Sequence, residues 1–299
     1  MPERWRLFSA LALLCIIWGY NWVVMKKALL YMGPFDFNAT RIFLGAVVLF
    51  VYMLFKGISL KPRQVILTIL VGLFQTAVST GFILWALVEG GAGKTAVLVY
   101  TLPFWILIFA RLILSEKING INWIPVVIGF IGLAVLFEPW SPRNVISELL
   151  AVVAGMFWAL GAVIIKVAQR EPDVDIIPLT AWQLLYGSVP LIMAAILIPS
   201  RPINWTPYLL GALAYNTVIV CAIAFLLWTY TIQKLPAGIA GMGILAVPVI
   251  GVGTSIYELG ERPDIWEAGG MILIISALAL LTYFRNHESK WLNPQTNLK

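Results

Sequence analysis

The chain alternates long, continuous apolar runs with short polar punctuation. Ten runs read as helical spans, at about 7–31, 36–56, 64–88, 93–114, 121–137, 146–168, 178–199, 207–233, 237–259 and 265–284. A helix needs about 20 apolar residues to cross a bilayer core, whereas a barrel strand needs about ten with strict in–out alternation. Length and continuity therefore select helices. The runs are separated at Gly33-Pro34, Lys61-Pro62, Gly90-Gly91, Pro139-Trp140-Ser141-Pro142, Pro199 to Pro202 and Pro236, where glycine and proline end helical periodicity. Met1 to Arg6 ahead of the first run looks like the start of a secretory leader. The apolar run that follows exceeds the usual ~7–15 residues and has no small-residue cleavage site, so it reads as a retained helix.

Composition agrees with the pattern. Of 299 residues, 61% are hydrophobic and 11% charged, against about 45–50% and about 25% in soluble domains. A multi-pass membrane protein is expected. Cys15 and Cys221 lie singly in apolar runs, and the one histidine, His287, sits in the polar tail. No metal site and no cofactor are expected from such a set. A glycine-rich loop with GK[ST] is missing, which excludes ATP drive within the chain.

The net charge of +6 comes from basic residues scattered between spans, so they read as orientation signals and not as a nucleic-acid surface. With a cytoplasmic N-terminus, 13 lysines and arginines fall on inner segments. Seven fall on outer ends: Lys26, Lys27, Arg41, Lys94, Arg143, Arg201 and Arg262. Both termini are expected in the cytoplasm.

An internal repeat is legible. Ala92-Gly93, Pro103 and Glu116-Lys117 recur as Ala237-Gly238, Pro248 and Glu261-Arg262, all at one constant offset. Trp18 and Lys26 recur as Trp158 and Lys166 at a slightly shorter offset that is again common to both. Phe82 to Trp85 matches Phe225 to Trp228, and Gly45 matches Gly187. The units are 1–140 and 141–285, followed by a polar cytoplasmic tail at 286–299. Each unit has an odd number of spans, so the second copy inserts upside down. Inverted repeats give two facing arrangements around one site, which is a transporter device.

Trp18-Gly19-Tyr20-Asn21-Trp22 with Lys26, the two A-G…P…E-[K/R] helices and the five-plus-five layout resemble the EamA type of the drug/metabolite transporter superfamily, over about 7–284. Within it the tryptophan-rich chain is most similar to the aromatic amino-acid exporters of bacterial inner membranes. The resemblance implies ten transmembrane helices as two inverted five-helix repeats around a central cavity. It also implies a monomer that exports a small-molecule substrate.

Polar and aromatic residues at mid-membrane depth mark the expected substrate site, because polar groups in hydrocarbon are costly and face a cavity or a partner. They are Trp18, Asn21, Gln75, Ser79, Tyr100, Trp158, Tyr215 and Asn216. Ser79 and Thr80 also suit bonding between helices, and Trp105 is a further aromatic candidate. Trp85 and Trp228 near helix ends, with Trp5, Trp123, Trp140, Trp205, Trp266 and Trp291, read as interfacial belts. Pro103 and Pro248 fall inside apolar runs as kinks or hinges. Inverted symmetry places Lys26 on a face with Glu261, and Lys166 on the other with Glu116, as alternating gate pairs. No acid stands mid-span, which favours facilitated transport or exchange over a carboxylate proton carrier. An enzyme would need a general base or nucleophile constellation that the spans lack. The alternatives are a channel or structural membrane protein, or an exporter of drugs or nucleoside-like metabolites.

Overall fold

A computed structural model describes residues 3–115, 120–136, 145–170, 175–235 and 237–292. Every regular element among them is a helix. Four helices open the chain: α1 Glu3–Ala28, α2 Pro34–Lys56, α3 Val65–Glu89 and α4 Ala92–Ile113. Then come α5 Trp123–Leu136, α6 Val145–Ala168, α7 Ile176–Leu197 and α8 Pro207–Lys234. α9 is in two pieces, Ala237–Gly243 and Ala246–Leu259, and α10 is Ile265–Leu292. Seven, α1 to α4 and α6 to α8, are long and apolar enough to cross a membrane, and the remaining apolar stretches, Trp123–Leu136, Ala246–Leu259 and Ile265–Leu281, are shorter. Glu116, the boundary at 140/141 and the tail from 293 lie outside the described residues. α10 continues to Leu292.

Local chemistry sets the helix ends. α2 begins with Pro34 in its first turn, where a missing N–H costs nothing, and stops at Gly57 with φ 65°. Asp175 caps α7 by accepting Ile177 N–H at 3.0 Å, and Thr206 caps α8 by accepting Leu209 N–H at 3.2 Å. Large apolar side chains point outward: Ile16, Ile66 and Ile196 are 60%, 75% and 76% exposed. A soluble protein does not present such a surface, whereas lipid tails cover it.

The backbone departs from uniform helix at four places. α3 winds as a π-helix over Gly72–Val78, and α8 does the same over Tyr215–Ala224. α4 ends its first piece at Val99 and restarts at Leu102, while α9 breaks after Gly243 and restarts at Ala246. The expectation of in-helix kinks at the two prolines is corrected accordingly. Pro103 and Pro248 each lie in the first turn of a restarted helix, where proline's fixed φ and missing donor are tolerated.

The main packing partners are α2 with α7, α5 with α10, α1 with the second piece of α9, and α6 with both α3 and α4. Two glycines at matching positions mark close approaches. A Cβ on Gly45 of α2 would stand 2.6 Å from Cys221 Cβ in the α8 π-turn, and one on Gly187 of α7 would stand 2.5 Å from Thr76 Cβ in the α3 π-turn. Small residues let helix backbones close up where lipid supplies no hydrophobic drive.

Candidate functional site

α1, α2, α3, α4, α6 and α8 surround a small cavity of about 50 Å³. Its wall is aromatic: Trp18, Trp22, Tyr100, Trp158 and Phe225. Trp18 and Trp158 meet edge to face at 5.2 Å between ring centroids, and Phe225 lies 5.5 Å from Trp158. Such pairs contribute about 0.5–1.5 kcal/mol each beyond burial, so the wall is a rigid surface. Of the residues expected at a substrate site, Trp18, Asn21, Tyr100 and Trp158 line this cavity.

Gln75 sits behind the wall and not in it. It is fully buried, and an indole N–H can only donate, so the Gln75 amide presents its oxygen to the two indoles. That oxygen accepts Trp228 Nε1–H at 2.8 Å and Trp158 Nε1–H at 3.1 Å. Trp228 is likewise fully buried. The belt reading of Trp228 is therefore corrected, because its N–H is satisfied by glutamine and not by interfacial water. Trp85 is 45% exposed against Phe35, as a belt residue should be. Ser79 donates to Ala154 O at 2.8 Å and Tyr215 donates to Ile17 O at 2.9 Å, so both join helices outside the cavity lining. Trp105 packs on Phe130 at 5.6 Å, also outside the lining.

Arg41 is the unforeseen residue. Counted as an outer-end cation, it is instead buried in the cavity wall at 3% exposure. Its Nε donates to Asn38 Oδ1 at 2.9 Å and its Nη1 to Asn216 Oδ1 at 3.1 Å. Asn38 in turn donates to Thr80 Oγ1 at 2.8 Å, and Thr80 lines the cavity. Asn216 is thus placed beside the cavity, holding Arg41. An arginine at mid-helix depth costs about 2.5–3.5 kcal/mol on insertion scales, which neutral amides only partly offset. Across the molecule the Gln75 amide nitrogen faces the side-chain amide of Gln183 at 3.1 Å, and Gln183 also lies 3.1 Å from Thr76 Oγ1. Arg41 and Gln183 are separated along the chain by the same interval as Gly45 and Gly187. That shared spacing was the available signal for both missed residues.

Lys26, Lys166 and Glu261 each bond backbone at helix ends, and Glu116, the expected partner of Lys166, lies outside the described residues. Lys26 donates to Leu87 O at 2.7 Å, Val88 O at 3.2 Å and Gly90 O at 2.9 Å, the last carbonyls of α3. Lys166 donates to Ile232 O at 2.9 Å, Gln233 O at 3.3 Å and Leu235 O at 2.9 Å, at the end of α8. Glu261 accepts Ala92 N–H at 2.6 Å and Gly93 N–H at 2.9 Å at the start of α4. A carboxylate there meets unbonded amides at the positive end of the helix. Lys26 and Glu261 therefore grip opposite sides of the Gly90-Gly91 turn, and no ion pair joins them among the described residues. Next to it Lys94 pairs with Glu148 at 2.8 Å and Glu267 at 3.0 Å, a cluster that single-span reasoning did not foresee.

A family model described as the EamA-like transporter family matches residues 6–138 and 145–283. The uncharacterized transporter YoaV of Bacillus subtilis is 28% identical over 90% of this chain and 94% of its own length. The uncharacterized inner membrane transporter YedA of Escherichia coli K12 is 27% identical over 92% and 90%. A crystal structure of a protein 19% identical in sequence aligns with a TM-score of 0.70, covering 92% of this chain and 96% of that one.

Proposed function

The chain belongs to the EamA-like transporter family, and from that premise we propose that it is a secondary carrier exporting small metabolites, neutral and aromatic amino acids foremost, by alternating access. The observation that carries this reading is the aromatic cavity built from both halves of the chain, with Trp18 and Tyr100 from one and Trp158 and Phe225 from the other. A flat apolar side chain fits against such a wall.

Two inverted five-helix repeats are proposed as the frame. Support comes from paired features at near-constant spacing: lysines capping the ends of α3 and α8, π-turns in both, and proline restarts in α4 and α9. The packing is paired in the same sense, α1 with α9 answering α6 with α4. The two family matches, 6–138 and 145–283, divide the chain near the same place. Cytoplasmic termini follow from the basic-residue asymmetry, which burial of Arg41 sharpens by removing one outer charge. A bacterial inner-membrane location is in keeping with the printed description of YedA. The carrier is proposed to work as a monomer in the bilayer, with a small molecule as its partner and no nucleic acid.

The cavity lining holds no carboxylate among the described residues. This supports facilitated transport or exchange over proton drive through the site. The test is counterflow in proteoliposomes with labelled tryptophan, phenylalanine, leucine, alanine, uridine and a cationic dye. Saturable uptake accelerated by unlabelled amino acid on the other side is expected. Linear, unsaturated flux would make the protein a channel, and no flux of any probe would end the carrier reading.

A further inference from the structure

Arg41 is a buried cation in the wall of the cavity, and among the described residues no carboxylate lies within salt-bridge distance of it. A guanidinium has five N–H donors and stays charged at any physiological pH. It cannot relieve its burial by losing a proton, as a lysine can. Two donors are used on the neutral amides Asn38 and Asn216.

Architecture does not demand the charge. At the matching position of the second half, Gln183 makes the corresponding link from α7 to α3 with an uncharged amide. Gln183 stands behind the cavity, whereas Arg41 lines it. The one difference between these matched links is a positive charge on the cavity side.

A second polar group in the cavity is unfinished. Asn21 is 4% exposed and lines the same space, yet its side-chain oxygen has no hydrogen-bond partner among the described residues. Such an acceptor calls for an N–H donor from whatever enters.

We infer that Arg41 anchors the carboxylate of the transported molecule, with Asn21 accepting from its ammonium and the tryptophan wall holding its side chain. This assignment rests on the carrier reading for its biological sense and names the substrate class of that site: carboxylates bearing a flat apolar group, α-amino acids among them. A guanidinium meets a carboxylate through two parallel N–H bonds. One fixed positive charge balances one carboxylate, whereas a phosphate dianion would leave a negative charge uncompensated beside the indoles.

The test is binding to the purified full chain in detergent, read by the fluorescence of the cavity tryptophans and by thermal shift. The probes are phenylalanine, 3-phenylpropionate, phenylalaninamide and phenyl phosphate. Phenylalanine and 3-phenylpropionate are expected to bind saturably, with the amide at least tenfold weaker. Arg41→Gln is expected to lower both carboxylates to the level of the amide, and Arg41→Lys to retain part of the difference. Should Arg41→Gln fail to fold, the comparison of probes on the unaltered protein decides alone. Equal binding of the amide, retention of carboxylate affinity within twofold in Arg41→Gln, tighter binding of phenyl phosphate, or no binding of either carboxylate would each overturn the assignment. Saturable flux without carboxylate preference would sink it and leave the carrier standing. Carboxylate binding without any flux would do the reverse.

Discussion

Lys26 and Lys166, at matching positions of the two halves, make the same contact: each places its ammonium among the terminal carbonyls of a neighbouring helix. Their acceptors match one for one, Leu87 with Ile232, Val88 with Gln233 and Gly90 with Leu235, at a single constant offset along the chain. The last four carbonyls of a helix lack intrahelical donors and carry its negative end. A cation placed there satisfies several at once. Charge-assisted bonds are worth about 1.5–3 kcal/mol when buried, and partial exposure reduces that. Replacing either lysine by methionine is expected to lower stability by about 1–2 kcal/mol, and the two losses should add, since distant sites behave independently. Thermal unfolding in detergent measures it. An unchanged melting temperature in both variants would mean water serves those carbonyls equally well.

Glu261 and Lys26 hold the two sides of one turn without holding each other. Exchanging their charges should therefore not restore what either single change removes. Lys26→Glu loses the α3 carbonyls, Glu261→Lys loses the α4 amides, and the double variant places each charge against a helix end of the same sign. It is expected to be at least as unstable as the worse single variant. Recovery of melting temperature or counterflow in the double variant would show that the two charges pair directly in some state.

How much of this was legible in advance depends on which atoms do the bonding. The helices could be read because lipid demands long apolar runs, and α2, α3 and α6 begin and end within a few residues of expectation. The π-turns at Gly72–Val78 and Tyr215–Ala224 could not, since a shifted backbone register leaves hydropathy unchanged. Charge counting took Arg41 for an interfacial residue because it lies near the start of its run. Yet α2 starts at Pro34, and seven residues at about 1.5 Å each carry Arg41 about 10 Å into the helix. Lys26 and Glu261 do share a face, but they meet helix ends there and not each other. Side chains are visible in a sequence, whereas the backbone amides and carbonyls that compete for them at every helix end are not.

Gln75 offers a cleaner prediction than the wall it supports. Gln75→Leu keeps the volume and removes the acceptor shared by Trp158 and Trp228. An unsatisfied buried donor costs about 1–3 kcal/mol, so the variant is expected to melt lower and to let the Trp158 ring turn. Apparent affinity for an aromatic substrate should fall several-fold, because the wall loses its fixed geometry. Trp158→Ala removes the surface itself and is expected to abolish saturable uptake while the protein still inserts. If both variants kept normal counterflow, the aromatic wall would not be the substrate site.

The two close-packed glycines should differ in what they tolerate. At Gly45 an added methyl meets the Cβ of Cys221 at 2.6 Å, with the next contact, Thr217 O, at 3.4 Å. At Gly187 it meets Thr76 Cβ at 2.5 Å, Thr76 Cγ2 at 2.6 Å and the backbone oxygen of Gly72 at 2.7 Å. A side chain can give way by rotating or by a small shift of one residue, but a backbone oxygen moves only with its helix. Overpacking of this kind costs about 1–3 kcal/mol. Gly187→Ala is therefore expected at the upper end and Gly45→Ala at the lower. The damage should also spread differently. Moving α7 away from the α3 π-turn pulls Gln183 from Gln75, and with it the amide that orients Trp158 and Trp228. Gly187→Ala should then alter tryptophan fluorescence as well as melting temperature, whereas Gly45→Ala should shift the melt with a smaller optical change. Equal effects on both readings would mean that the α7–α3 contact yields as readily as the one between α2 and α8.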